Sequence, residues 1–84
     1  MATLAALIID DEAAICESLG GVVADEGWRV ESASNGLDGI KKLRINEYDL
    51  VFLDVWMKGI DGVETLQRIR DFNLDIPVVV MSGH

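Results

Sequence analysis

Asp10, Asp11, Asp54 and Ser82 are the side chains of this 84-residue chain that could act together. Asp10 and Asp11 follow an aliphatic run, Asp54 closes a second, and Ser82 follows a third. If these runs are strands of one sheet, three carboxylates and a hydroxyl converge at one rim. Carboxylates packed together repel, and partial burial pushes each toward protonation unless a cation offsets the charge. A hard cation that prefers oxygen meets that need, Mg²⁺ first among them: it takes one or two carboxylates, keeps several waters and leaves room for a phosphate. Singly, each acid reads as a helix cap or a solvated rim charge; three strand ends in agreement favour the metal site.

Hydrophobic spacing supplies the elements that must position these residues. Residues 4–9 form a short aliphatic run that suits a buried parallel strand. Residues 13–26 place Ile15, Leu19, Val22 and Val23 on one helical stripe, closed by Gly27. Residues 28–32 alternate apolar Trp28 and Val30 with charged Arg29 and Glu31, as a strand near a sheet edge does. Ser34 or Asn35 can cap a second helix with Leu37, Ile40 and Leu43 inward and Asp38, Lys41, Lys42 and Arg44 outward. Residues 50–53 form a third strand, and a turn over residues 58–62 leads into a helix marked by Val63, Leu66 and Ile69, with Glu64, Arg68 and Arg70 toward solvent. Residues 76–81, the most apolar run, form a fourth strand. The order βαβαβαβ predicts an α/β fold, a mostly parallel sheet with helices on both faces, and ligands in such sheets bind outside the carboxyl ends of the strands.

Composition narrows the function classes. A chain of 9.2 kDa builds one domain over residues 1–84, with a folded surface of roughly 4,900 Å² against roughly 13,000 Å² unfolded. Fifteen acidic against seven basic side chains give a net charge of −8 and a pI near 4.3, which disfavours direct nucleic-acid binding. A hydrophobic share of 50% with one proline excludes a disordered acidic tail. The single cysteine, Cys16, makes no internal disulfide and is too little for a structural zinc site, which points to a cytoplasmic protein. Residues 1–9 are apolar but lack a basic start and meet three acids at once, so neither a signal peptide nor a membrane span is expected. No linker, low-complexity tract or repeat is visible.

The acidic pair Asp10 and Asp11, the run Asp54, Val55, Trp56, Met57, Lys58, Gly59, Ile60, Asp61, Gly62, and the run Pro77, Val78, Val79, Val80, Met81, Ser82, Gly83 resemble the receiver domains of two-component response regulators. The resemblance spans the whole chain and implies a doubly wound, flavodoxin-like (CheY-like) three-layer fold. It implies that Asp54 is the phosphoacceptor, Asp11 a direct Mg²⁺ ligand, Asp10 a ligand through water, the backbone carbonyl of Trp56 a further ligand, and Ser82 the hydroxyl that hydrogen-bonds the phosphoryl group. The partner implied is a sensor histidine kinase, whose phosphohistidine donates the phosphoryl group; the chain is then no enzyme beyond assisting its own phosphorylation and dephosphorylation. A haloacid-dehalogenase-type phosphatase wants a second Asp where Trp56 stands. A flavodoxin-type flavin site wants a phosphate-cradling loop where Asp10, Asp11 and Glu12 would repel phosphate. The residues around Asp54 and Ser82 also resemble receivers of NtrC-type transcriptional regulators.

Two departures from the family pattern stand out. Lys58 occupies a place where proline is usual, removing a φ restraint and adding a cation near the rim. The sequence stops at His84, where the family continues through a helix, a strand ending in Lys and a last helix, so the reading is of a truncated receiver lacking that helix-strand-helix. In the family's strand order the fourth strand then becomes an apolar edge, and two copies are expected to pair, most simply through it, or to exchange elements; the alternative is that the 84 residues are a fragment of a longer regulator. The alternative function is a structural or oligomerisation unit in which Asp54 is never phosphorylated. Lys58 reads as a solvated charge rather than a replacement for the missing Lys. Cys16 reads as a packed or partly exposed thiol, His84 as a frayed terminus, and Trp28 and Trp56 as too scattered for a base-stacking platform.

Overall fold

The computed structural model describes residues 3–59, 61–73 and 75–82; the expectations for Ile60, Gly83 and His84 lie outside them. Strand β1 (Ala5–Ile9) is buried along its whole length, as a continuous aliphatic run in the middle of a parallel sheet must be. It pairs in parallel with β2 (Arg29–Ala33) on one side and β3 (Leu50–Asp54) on the other, and β3 pairs in parallel with β4 (Val78–Met81). The sheet order is β2-β1-β3-β4, so the alternating strand and helix pattern read from the sequence is the observed α/β topology.

Helices α1 (Ala13–Asp25), α2 (Gly36–Ile45) and α3 (Gly62–Phe72) make the crossovers. Right-handed connections in this order put α1 on one face and α2 with α3 on the other. The side chains of β1 divide accordingly: Ile8 reaches toward Gly20 of α1, while Leu7 and Ile9 join Ile40, Leu43, Val51, Leu53 and Ile69 in the core beneath α2 and α3. Gly39 lets α2 lie close on β1, since a Cβ there would come within 2.5 Å of Ile9 Cδ1.

The caps follow side-chain chemistry. Of the two candidates, Asn35 caps α2: its Oδ1 accepts from the Asp38 N–H at 2.8 Å and its Nδ2 returns a bond to Asp38 Oδ2 at 3.0 Å. Asp61 caps α3 by accepting from the Glu64 N–H at 2.8 Å. Gly27 ends α1 with φ +90°, a conformation that glycine adopts without penalty. Asp49 joins β1 and β3 at the amino end of the sheet, its Oδ2 accepting from the Ala5 N–H while its own N–H donates to the Ala5 carbonyl.

Several side-chain directions differ from the sequence expectation. Leu37 and Val63 are half exposed rather than inward, because each lies in the first turn of its helix, beyond the end of the strands. Arg70 is not a solvent-side charge: its Nη1 donates to the Ile76 carbonyl at 2.6 Å and fastens α3 to the approach of β4. Helix α1 has no buried residue although its stripe was expected to pack, and Val22 is 64% exposed. The chain accordingly exposes 5241 Å², more than the roughly 4,900 Å² expected for its mass. Among the described residues no helix is long and apolar enough to cross a membrane.

Candidate functional site

Parallel register brings the carboxyl ends of β1 and β3 side by side: Ile9 pairs with Leu53, so Asp10 and Asp54 follow on adjacent strands. Asp10 is 4% exposed and Asp54 2%, whereas Asp11 stands in solvent. One carboxylate oxygen from each of the three lies within 4.8 Å of the others, so the three acids expected to meet do meet.

The local hydrogen bonds explain how two buried acids are held. The Glu12 N–H donates to Asp10 Oδ1 at 2.9 Å, and the Asp10 N–H donates to the Ala33 carbonyl of β2. The Trp56 N–H donates to Asp54 Oδ1 at 2.9 Å, folding the chain after β3 back over its own carboxylate. Burial pushes the Asp10 carboxyl above its ordinary range; the Glu12 N–H opposes this, and the neighbouring Asp54 and Asp11 charges add to it. A divalent cation among the three would relieve that repulsion, and an all-oxygen donor set fits Mg²⁺. The trio therefore suits the ion expected from the sequence.

Asp54 Oδ1 and the Asp11 side chain both meet the loop between β3 and α3. That loop bounds an open recess of about 590 Å³ lined by Asp11, Glu12, Val55, Trp56, Met57, Lys58 and Asp61, room for a phosphoryl group at the rim. Trp56 is 68% exposed there, its main chain adjacent to Asp54. Ser82 follows Met81, the register partner of Asp54, and is exposed at the same rim.

Cys16 packs as expected, its thiol donating to the Asp10 carbonyl at 3.6 Å, and burial with the Asp10 charge pushes that thiol up, away from nucleophilic character. Two supporting groups were not foreseen. Gly62 lies against Asp54 and Val55 at backbone distance, and the Lys58 N–H donates to Asp11 Oδ2 at 3.3 Å. The glycine was visible in sequence only as a turn residue; the signal for the N–H was the absence of proline at 58.

A family model described as the response regulator receiver domain matches residues 6–84. Among curated relatives, the transcriptional regulatory protein ZraR of Klebsiella oxytoca is 40% identical over 78 residues, covering 93% of this chain and 18% of ZraR. The nitrogen assimilation regulatory protein NtrX of Azorhizobium caulinodans is 35% identical over 80 residues, again 93% of this chain and 18% of the relative. This chain thus spans a small part of these relatives' length. A CheY-like receiver domain protein from Methanospirillum hungatei superposes with a TM-score of 0.94 at 24% identity, over 99% of this chain and 66% of that one, a likeness of fold. A chain in the crystal structure of histidine kinase ThkA in complex with response regulator protein TrrA superposes with a TM-score of 0.90 at 34% identity, over 98% of this chain and 72% of that one.

Proposed function

This chain belongs to the response regulator receiver family, and from that premise we propose that it accepts a phosphoryl group on Asp54 from a phosphohistidine of a sensor histidine kinase. The observation that carries the reading is the placement of Asp54: buried at the end of β3, with a carboxylate oxygen within 4.8 Å of both Asp10 and Asp11. The kinase as partner is supported by the similarity to the complex of ThkA with TrrA. An Asp54 oxygen attacks phosphorus, the new O–P bond forms as the N–P bond breaks, and the departing imidazole keeps its electron pair and takes up a proton.

Each residue of the rim has a part in that transfer. The Trp56 N–H donates to Asp54 Oδ1 and so holds that carboxylate in one orientation at the rim. Asp10, Asp11, Asp54 and the Trp56 carbonyl would hold Mg²⁺, which when bound neutralises charge on the transferring oxygens. Ser82, one residue beyond the register partner of Asp54, offers its hydroxyl to the bound phosphoryl group. The chain assists this transfer and the later hydrolysis of its aspartyl phosphate, in which water attacks phosphorus and inorganic phosphate leaves, and otherwise has no catalytic role. The cytoplasmic location and a place within a transcriptional regulator belong to the same reading, the latter supported by the names of ZraR and NtrX.

A purely structural role is disfavoured by the same observation, because gathering three carboxylates costs stability that an assembly unit has no need to give up. For the 84 residues themselves, pairing of β4 with β4 of a second copy accompanies the phosphoacceptor role. Mass spectrometry with Mg²⁺ and a small phosphodonor tests the main reading: wild type should gain about 80 Da and Asp54→Asn nothing. An unmodified wild type that binds Mg²⁺ would overturn it.

A further inference from the structure

The loop between β3 and α3 is joined to the acidic rim by a main-chain bond, from the N–H of Lys58 to Asp11 Oδ2 at 3.3 Å, between residues 47 apart in sequence. Asp11 is the exposed member of the trio, so burial does not fix its carboxylate as it does those of Asp10 and Asp54. A proline at position 58 has no N–H to give, so this bond exists only because the loop carries another residue there. The same short loop carries Trp56, whose N–H already restrains Asp54. Donors from one loop therefore reach carboxylates at the ends of two strands.

We propose that the Lys58 N–H is a positioning group for the divalent cation: it holds the Asp11 carboxylate and the loop in the arrangement that the cation binds. This rests on the metal reading of the trio. The backbone and the side chain of Lys58 act with opposite sign. The N–H preorganises a ligand, while the ammonium, on a residue lining both the Asp11 recess and a second one of about 380 Å³ beside Lys41 and Asp38, adds positive charge where a dication must enter.

Mg²⁺ titrations of wild type, Lys58→Pro and Lys58→Ala, followed by amide chemical shifts of the rim residues, separate the two effects. Lys58→Pro should weaken Mg²⁺ binding about two- to tenfold, the worth of one hydrogen bond, while Lys58→Ala, which keeps the N–H, should bind as tightly as wild type or more so. Hydrogen exchange of the Lys58 amide in wild type needs no substitution: it should be slower than its intrinsic rate without Mg²⁺ and slower still at saturation. That measurement decides the matter if circular dichroism shows Lys58→Pro to be unfolded. Equal affinity of folded Lys58→Pro and Lys58→Ala, or faster exchange of the Lys58 amide on adding Mg²⁺, overturns the proposal. A wild type whose spectrum ignores Mg²⁺ overturns the metal reading itself, a separate and recognisable result.

Discussion

Gly62 lies so close to Asp54 that a Cβ built on it would stand 2.5 Å from the Asp54 carbonyl oxygen, and 2.3 Å from the Val55 Cα. Both neighbours are backbone, so no rotamer change relieves the contact. The first turn of α3 is thereby pressed against the end of the strand that carries Asp54. Gly62→Ala should cost on the order of 2–3 kcal/mol, at the upper end of overpacking penalties. Thermal unfolding should show a drop on the order of 10–20 °C for a domain of this size. Gly21→Ala, where the added Cβ meets nothing within 4 Å in mid-helix, should instead stabilise by about 0.5–1 kcal/mol. Equal effects at the two positions would remove the steric account.

Asp10 sets a pH dependence that Mg²⁺ should reverse. Burial first, then the Asp54 and Asp11 charges, raise its folded-state pKa above the ordinary aspartate range. The folded chain then holds the proton more tightly than the unfolded one. This contribution to stability is present below the unfolded pKa and lost as pH rises through the folded value. Melting curves in a chelator should therefore show Asp10→Asn more stable than wild type at pH 7, a gap that closes as pH falls toward 4. Mg²⁺ at ten times its Kd should add about 1.4 kcal/mol to wild type and much less to the variant.

The sequence made the site legible because Asp10, Asp11 and Asp54 each end an aliphatic run, and period and strand order leave few ways to arrange four such runs. Asn35 was readable as one of two candidate caps for α2, whereas Asp61 was visible only as part of the turn before α3. Leu37, Val63 and Val22 were not, since helical periodicity identifies an apolar stripe without saying how far the sheet extends beneath it. Arg70 escaped because its partner is a backbone carbonyl, and main-chain acceptors leave no trace in residue type. The closeness of Gly62 to Asp54 and the Lys58 bond to Asp11 are likewise backbone facts, fixed only when the loop folds back over the rim.

Tyr48, the single tyrosine, donates its hydroxyl to Glu31 Oε1 at 2.7 Å and so joins the segment before β3 to β2. Its pKa is pushed up to about 12, by burial first and then by the Glu31 bond and charge. A raised folded pKa means stability present below the unfolded value near 10 and lost as pH climbs from there to about 12. Tyr48→Phe should cost about 1 kcal/mol at pH 7 and remove that alkaline loss. Ultraviolet titration of the wild-type phenol, with denaturant melts at pH 8 and pH 11, checks both parts.

The outer edge of β4 sets the last expectation. The Val51 N–H donates to the Pro77 carbonyl and the Val55 N–H to the Met81 carbonyl, so the odd-numbered residues of this stretch turn their main chain toward β3. In a parallel strand the intervening residues turn theirs the other way, which leaves the N–H and C=O of Val78 and Val80 on the open side. Val79 and Val80 are close to half exposed, no charged side chain interrupts the strand, and among the described residues nothing pairs with its outer side, the kind of edge that invites another strand. Light scattering on the 84-residue chain should therefore give about twice 9.2 kDa at micromolar concentration. Val80→Pro removes an outward N–H without touching the ladder to β3, so it should give a monomer with nearly unchanged melting. Val79→Pro breaks the ladder itself and should unfold the strand. A monomeric wild type, or a Val80→Pro that stays dimeric, would show that the edge is not the seam.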